Sequence, residues 1–402
     1  SETTLALRFK GIVQRAVEQT GHRVAILVDE YDKPMLQAIG NEELQKEYRN
    51  TLKPFYGVLK TMDGYIKLGF LTGVTKFGKV SVFSDLNNLK DISMRRDYID
   101  ICGITDKELH RYFDKDLHTL ADVQGLDYET VCLEVQKRYD GYHFNFNTPG
   151  IYNPFSLLNT FDAMTFGSYW FATGTPSYLV YLLKKHHYRL EEIEKVEVTE
   201  DVLDSIDSEG TNPIPVIYQS GYLTIKDYDP EFGLYTLDYP NREVEEGFVK
   251  YLMPFYIDKS ETEAPFEIRR FVGEVRNGNI DGFFHRLQSF FADAPYEVIV
   301  GQDPVRNVEL FFQNVLFIVF RLAGFYTQVE YHTSRGRIDL VLKTDKFIYV
   351  MEFKQGATAE EALAQINEKG YADAFASDPR TLYKIGVSFS DEQRNIERWL
   401  VE

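Results

Sequence analysis

The sequence predicts an α/β protein built in several parts, and three observations carry that prediction. Val24–Val28 and Ile66–Thr72 are short apolar runs with a helical pattern between them, the arrangement of parallel strands joined by a crossover. Near the C-terminus, Arg337-Ile-Asp-Leu-Val-Leu342 and Phe347-Ile-Tyr-Val-Met-Glu-Phe-Lys354 are two further strand-like runs, and Lys343 to Lys346 between them suit a hairpin connection. The chain has 402 residues, room for two or three domains, and its 44% apolar content with 30 Phe and 27 Tyr supports well-filled cores.

In chain order, Thr3 to Gln19 has helical spacing through Leu5, Phe9, Ile12, Val13 and Ala16, and Gly21 ends it. Val24–Val28 is continuously apolar, which predicts a strand buried on both faces. It stops at Asp29-Glu-Tyr-Asp-Lys-Pro34, and acids at the C-terminal end of such a strand occupy the edge where open α/β sheets bind ligands. A solvated acidic turn explains the same residues equally well. Glu42 to Met62 reads as a helix with a break expected before Pro54. The strand at Ile66–Thr72 runs into Gly73-Val-Thr-Lys-Phe-Gly-Lys-Val80, close to the phosphate-loop pattern G-x-x-x-x-G-K-[ST]. Val80 stands where a magnesium-binding hydroxyl is needed, and the segment follows the acid-bearing strand instead of preceding it, so it is rejected as a phosphate loop. The sequence offers no other.

From Thr105 to about Leu190 the pattern is mainly helical. His143, His186 and His187 lack cysteines or acids at ligand spacing and read as structural or solvated. Val216–Ile225, Asp227–Gly233 and Leu234–Leu237 read as a hairpin, which after helices suggests a winged-helix-like module. Asn241–Val244 opens another helix, Glu261–Ala264 is a candidate linker, and Phe266–Phe291 supplies helices. There is no internal repeat and no low-complexity tract.

Chemistry concentrates at the C-terminal hairpin. Strand side chains alternate, so Glu352 and Lys354 share one face and Phe353 takes the other. A carboxylate and an ammonium on a buried strand need a reason, because unpaired buried charge is expensive. A divalent metal bridging Asp339 and Glu352, with Lys354 beside it, is one reason; a structural ion pair is the other. Upstream, Asp303–Gly324 reads as a helix carrying Glu309 among Val308, Phe311, Phe312 and Val315. Downstream, Thr358-Ala-Glu-Glu361 is a capping box opening a helix that presents Gln365 and Lys369 one turn apart.

That order, helix with Glu, strand, strand with Asp, strand with Glu-x-Lys, helix with Gln and Lys, strand, resembles the PD-(D/E)XK nuclease superfamily, in the branch fused to AAA-ATPase-like domains of bacterial proteins. Asp339 matches the motif's Asp, Glu352 and Lys354 its Glu-x-Lys, Glu309 the acid of the first helix, and Gln365 and Tyr371 the downstream helix motif. Asp29–Pro34, Tyr152–Ser156 and Tyr169–Gly174 resemble the ATPase-like partner.

The resemblance implies a partial P-loop-type parallel α/β domain at 1–104, a helical, winged-helix-like module at 105–260, a helical linker at 261–300 and a restriction-endonuclease-like α/β domain at 301–402. It implies an enzyme: a Mg²⁺- or Mn²⁺-dependent nuclease, the metal held by Asp339, Glu352, the Phe353 carbonyl and Glu309, with Lys354 orienting water and Gln365, Lys369 and Tyr371 positioning the fold's edge or a phosphate. In the ATPase-like part, Asp29 and Glu30 resemble a Walker B element and Thr72 or Thr75 would sense a γ-phosphate. ATP is expected only in a longer chain containing a phosphate loop, which the opening at Ser1 without Met suggests lies upstream. The alternative is a non-catalytic, nucleotide-gated switch or partner platform carrying an inactive nuclease fold.

The net charge of −18 and pI near 5.0 favour that alternative, since a nucleic-acid binder needs a basic surface. The intact acid-acid-lysine set favours the enzyme. Two cysteines, Cys102 and Cys132, make neither a zinc site nor a disulfide framework and point to a reducing cytoplasm. No run has the length of a membrane span and no signal peptide is visible. The sequence leaves open DNA or RNA, internal or terminal cleavage, the trigger and the oligomeric state.

Overall fold

Helix α1 (Leu5–Thr20) starts at Thr4, whose side chain accepts the Leu7 N–H, and stops at Gly21, in the left-handed region at φ 70°. It is followed by β1 (Val24–Val28), α2 (Lys33–Gln37), α3 (Glu42–Thr61) and β2 (Ile66–Leu71). The computed structural model describes residues 4–38, 41–74, 88–173, 177–185, 188–204, 212–256, 263–292, 304–324, 328–334, 337–390 and 392–402; a few side chains within these, including those of 304–309, 329–334 and 337–339, are not described.

Strands β1 and β2 pair in parallel as a two-stranded sheet. Its covered face packs Ile26, Val28, Ile66 and Leu71 against Phe9, Tyr56, Leu59 and Met62 from α1 and the α3 region. The other face is open, with Leu27 72% and Leu68 53% exposed. The expectation of a strand buried on both faces is thereby corrected: among the described residues one helical layer covers this sheet. The break expected before Pro54 is absent as well. Proline lies inside α3, and the buried Tyr56, Val58 and Leu59 that follow hold the last turns in place.

Next along the chain come β3 (Ile104–Thr105), α4 (Asp106–Tyr112), α5 (Asp114–Gln124), α6 (Tyr128–Tyr139), β4 (Ile151–Tyr152) and α7 (Pro154–Ala163). Leu109, Leu117, Leu120, Val131, Val135 and Tyr139 form their core. After α8 (Ser177–Lys185) follow β5 (Val196–Thr199), α9 (Glu200–Asp204), α10 (Ile214–Gln219), β6 (Thr224–Asp229) and β7 (Leu234–Asp238), with a sheet in the order β5-β7-β6. The hairpin is therefore β6–β7, and Val216–Gln219, expected in a strand, is helical. A short apolar run does not separate helix from strand, and the prolines at the start of α10 suit a helix N-terminus.

The chain divides into two units: Ser1–His186 with Glu194–Val244, and His187–Ile193 with Glu245–Glu402. The division falls within α11 (Arg242–Tyr256), and the second unit continues with α12 (Ala264–Asn277), α13 (Ile280–Ala292), α14 (Pro304–Gly324), β8 (Gln328–Ser334), β9 (Arg337–Lys343), β10 (Phe347–Gln355), α15 (Ala359–Glu368), β11 (Thr381–Ser390) and β12 (Asn395–Val401). Its sheet has five strands in the order β12-β11-β10-β9-β8, with β10 and β11 parallel across the α15 crossover and the other pairs antiparallel. Helices cover both faces of β10. Phe353 meets Phe389, Phe320 and Phe284 at ring distances of 5.8, 6.2 and 6.5 Å on one side. Ile348 and Val350 pack with Leu363 and Ile366 of α15 on the other. No described helix is long and apolar enough to cross a membrane.

Candidate active site and the N-terminal acidic strand end

The β9–β10 register sets Val350 opposite Val341, Glu352 opposite Asp339 and Lys354 opposite Arg337. Directly opposed positions of an antiparallel pair share a face, with Cβ atoms about 4.5–5.5 Å apart. Glu352 is fully buried, at 0% exposure. On the other flank of β10, Gly386 and Ser388 of β11 are registered with Glu352 and Lys354. A Cβ on Gly386 would lie 2.2 Å from the Ala359 carbonyl oxygen and 2.5 Å from the Leu363 nitrogen, so a bare backbone here lets α15 settle on this face. The Thr358–Glu361 capping box opens that helix, as its sequence predicts. One consequence is a contact the sequence does not disclose: the Lys354 ammonium donates to the Gln365 side-chain oxygen. Lys369 goes elsewhere. It caps α15, is exposed, and lies 5.9 Å from the Tyr371 ring centroid.

Glu309 falls on α14 and Asp339 on β9; the side chains of both lie outside the described residues. The Phe353 carbonyl belongs to a strand with neighbours on both sides. Among the described residues no group of three or more His, Cys, Asp or Glu side chains is assembled. Two carboxylate positions facing each other, one at zero exposure, still form a donor set suited to a hard cation, because a buried carboxylate is costly without positive charge or donors beside it. Gly386 and Ser388 are functional positions that sequence reasoning missed. An isolated glycine inside the apolar run Leu382–Phe389 was the available signal for a close backbone approach.

In the first unit, Asp29 lies just past β1 and its Oδ1 accepts the Thr72 hydroxyl at 2.6 Å and the Glu30 N–H at 3.0 Å. The Thr72 N–H donates to the Val28 carbonyl, and the Tyr31 N–H to the Thr72 carbonyl, so the two strand ends are laced together. Glu30 adopts φ 51°, a left-handed conformation that costs a non-glycine residue on the order of 1 kcal/mol. Its carboxylate holds the Lys33 ammonium at 2.6 Å, and that hydrogen bond and charge raise the lysine's pKa. Asp32 is buried and accepts the Val74 N–H at 3.2 Å. Burial, then the charges of Asp32 and Asp91, raise the pKa of Tyr31. A Cβ on Gly73 would sit 2.5 Å from Asp32 Oδ1 and 2.7 Å from the Tyr31 ring, so this glycine serves packing. Thr75 and the rest of the phosphate-loop-like segment lie outside the described residues.

Residues 307–399 match the PD-(D/E)XK nuclease superfamily, and residues 1–83 match a family described as a predicted AAA-ATPase. The chain belongs to the class of AAA-ATPase-like proteins with a C-terminal PD-(D/E)XK nuclease superfamily domain. It is 33% identical over 404 residues to a protein of Azotobacter chroococcum mcd 1 described as the uncharacterized protein in the vnfD 5′ region, an alignment that spans 98% of this chain and 75% of that one. No solved structure matches.

Proposed function

We propose that the C-terminal unit is a metal-dependent nuclease hydrolysing phosphodiester bonds of nucleic acid, coupled to nucleotide through the ATPase-like part. The observation that carries this reading is the fully buried Glu352 in register with Asp339, with Lys354 on the same face and in contact with Gln365. Asp339, Glu352, Glu309 and the Phe353 carbonyl would hold Mg²⁺ or Mn²⁺. When bound, such an ion lowers the pKa of a water and neutralises the scissile phosphate. Lys354 would hydrogen-bond the attacking water and the charge that develops on phosphate oxygens. Gln365, accepting from Lys354, fixes where that ammonium sits. In the N-terminal part, Asp29, Glu30, Thr72 and Thr75 would serve the magnesium and γ-phosphate of ATP once a phosphate loop is supplied.

The acidic charge of the chain does not oppose this reading. Residues 307–399 carry 11 Lys and Arg against 13 Asp and Glu, and residues 1–83 carry 12 against 9, so the excess acid belongs to 84–306. The region that would meet phosphate is near neutral, and a local basic groove suffices there. The test is cleavage of supercoiled DNA, single-stranded DNA and RNA with magnesium or manganese, wild type beside Glu352→Gln. Cutting that disappears in the variant is the expected result. Equal cutting by both removes Glu352 from the chemistry and the reading with it.

A further inference from the structure

The row of the five-stranded sheet next to the Asp339–Glu352 pair is basic across four strands. Arg337 of β9 is registered with Lys354 of β10, Lys354 with Ser388 of β11, and Ser388 with Arg398 of β12. Cross-strand partners share a face, so all four positions lie on the face that α15 covers. Three strand spacings make the row about 14 Å long, comparable with the axial rise of about four nucleotides. It runs one side-chain row from the acid pair, roughly 6.6 Å along the strands.

We propose that this row is a phosphate-binding track that holds a nucleic-acid strand beside the bond to be cut, with Arg398 as its far contact. The proposal rests on the nuclease reading of the same site and adds how the substrate is gripped. Three of the 11 basic residues in 307–399 fall in this single row, although the segment as a whole is slightly acidic. The fourth position, Ser388, is a hydroxyl buried to 3% exposure between Lys354 and Arg398. Arg398 is held by Glu360, in the first turn of α15, at 2.7 Å, and the two side chains are 60% and 53% exposed. An exposed pair of this kind is weakly held. The guanidinium fork that accepts a carboxylate also accepts a phosphate, so Glu360 occupies Arg398 as a substrate phosphate would.

A purely structural role for the pair, stapling β12 to α15, makes the opposite forecast for one variant. The experiment measures binding of a labelled duplex and a labelled single strand to the full chain by anisotropy. Calcium replaces magnesium, and the salt concentration is varied. Arg398→Ala should weaken binding about tenfold and lower the slope of log affinity against log salt by about 0.9 on duplex, one phosphate contact's worth. Glu360→Gln, which releases Arg398, should tighten binding at low salt. If Arg398→Ala binds with the wild-type affinity and slope while the wild type still cuts, the track is overturned and the nuclease reading survives. If both variants weaken binding alike and melt earlier alike, the pair is a staple and the track is equally overturned. If the wild type neither binds nor cuts any nucleic acid, the nuclease reading itself falls and the track falls with it.

Discussion

The two sheets that carry acids at their strands hold them by different means. Glu352 lies inside β10, the middle strand of five, with helices on both faces and no exposure. Asp29 and Glu30 lie beyond the end of β1, in a two-stranded sheet with one open face. An acid within a covered strand is placed by register, through many backbone bonds and the core behind it. An acid past a strand end is placed by the few bonds its own side chain makes, here the 2.6 Å contacts of Asp29 with Thr72 and of Glu30 with Lys33. The first arrangement depends on packing far from the carboxylate; the second depends on single neighbours.

The largest expected effect follows from the first half of that contrast. Phe353 is 1% exposed and stands behind Glu352 on the opposite face of β10. Phe353→Ala should cost about 3–5 kcal/mol of stability. Thermal unfolding followed by Trp399 fluorescence in a Trp170→Phe background reads the second unit, since these are the chain's 2 tryptophans. A loss under about 1 kcal/mol would mean that the aromatic core does not hold the register.

Next comes Lys354→Ala, expected to slow cleavage about 10²–10³-fold under single turnover while manganese binding measured by calorimetry persists. Gln365→Ala should move the rate in the same direction by less, because it removes the partner of the ammonium and leaves the ammonium itself. A Lys354→Ala protein that cuts at the wild-type rate would make this lysine structural.

These effects also mark what could be read from the residues. The β9–β10 hairpin, the Glu-x-Lys face, the α14 helix and the Thr358 capping box were legible because each is a local pattern: alternation, helical period, or a side chain three residues from its backbone partner. The failures share the opposite property. The apolar run Val24–Val28 does not say how many layers cover it, Val216–Gln219 is apolar in either geometry, and Pro54 is overruled by burial beyond it. The burial of Asp32, the role of Gly386 and the contact of Lys354 with Gln365 depend on residues distant in sequence. Side-chain assembly of Glu309 with Asp339 stays a proposal for the same reason: a helix and a strand must be brought together by the fold.

Gly386→Ala tests the seat of α15 and should cost roughly 1–3 kcal/mol by overpacking. The added methyl meets the Ala359 carbonyl and the Leu363 nitrogen, which are backbone and cannot swing away. The helix must shift, taking Gln365 from Lys354, so cutting should fall further than stability alone explains. Wild-type melting and wild-type cutting together would show that α15 has slack the geometry does not suggest.

The smallest effect is the one that bears most on the contrast. Leu27 is 72% exposed on the open face of the β1–β2 sheet, while its neighbour Ile26 packs on the covered face. Leu27→Ser should therefore change stability by no more than about 0.5 kcal/mol, as exposed substitutions do. Ile26→Ala should cost roughly 2 kcal/mol, because it removes side-chain volume from a packed cluster. With two units in the chain a single unfolding midpoint is ambiguous, so the readout is amide hydrogen exchange over residues 24–28. If Leu27→Ser loosens these amides as much as Ile26→Ala does, the open face is covered in solution and the contrast between the sheets narrows to their strand number. Protection that then rises with protein concentration would identify a second copy as the cover, by mass action. Protection independent of concentration would place the cover within the chain. With Leu27→Ser silent and Ile26→Ala costly, the N-terminal acids stand on a sheet supported from one side alone, and their geometry rests on Thr72 and Lys33.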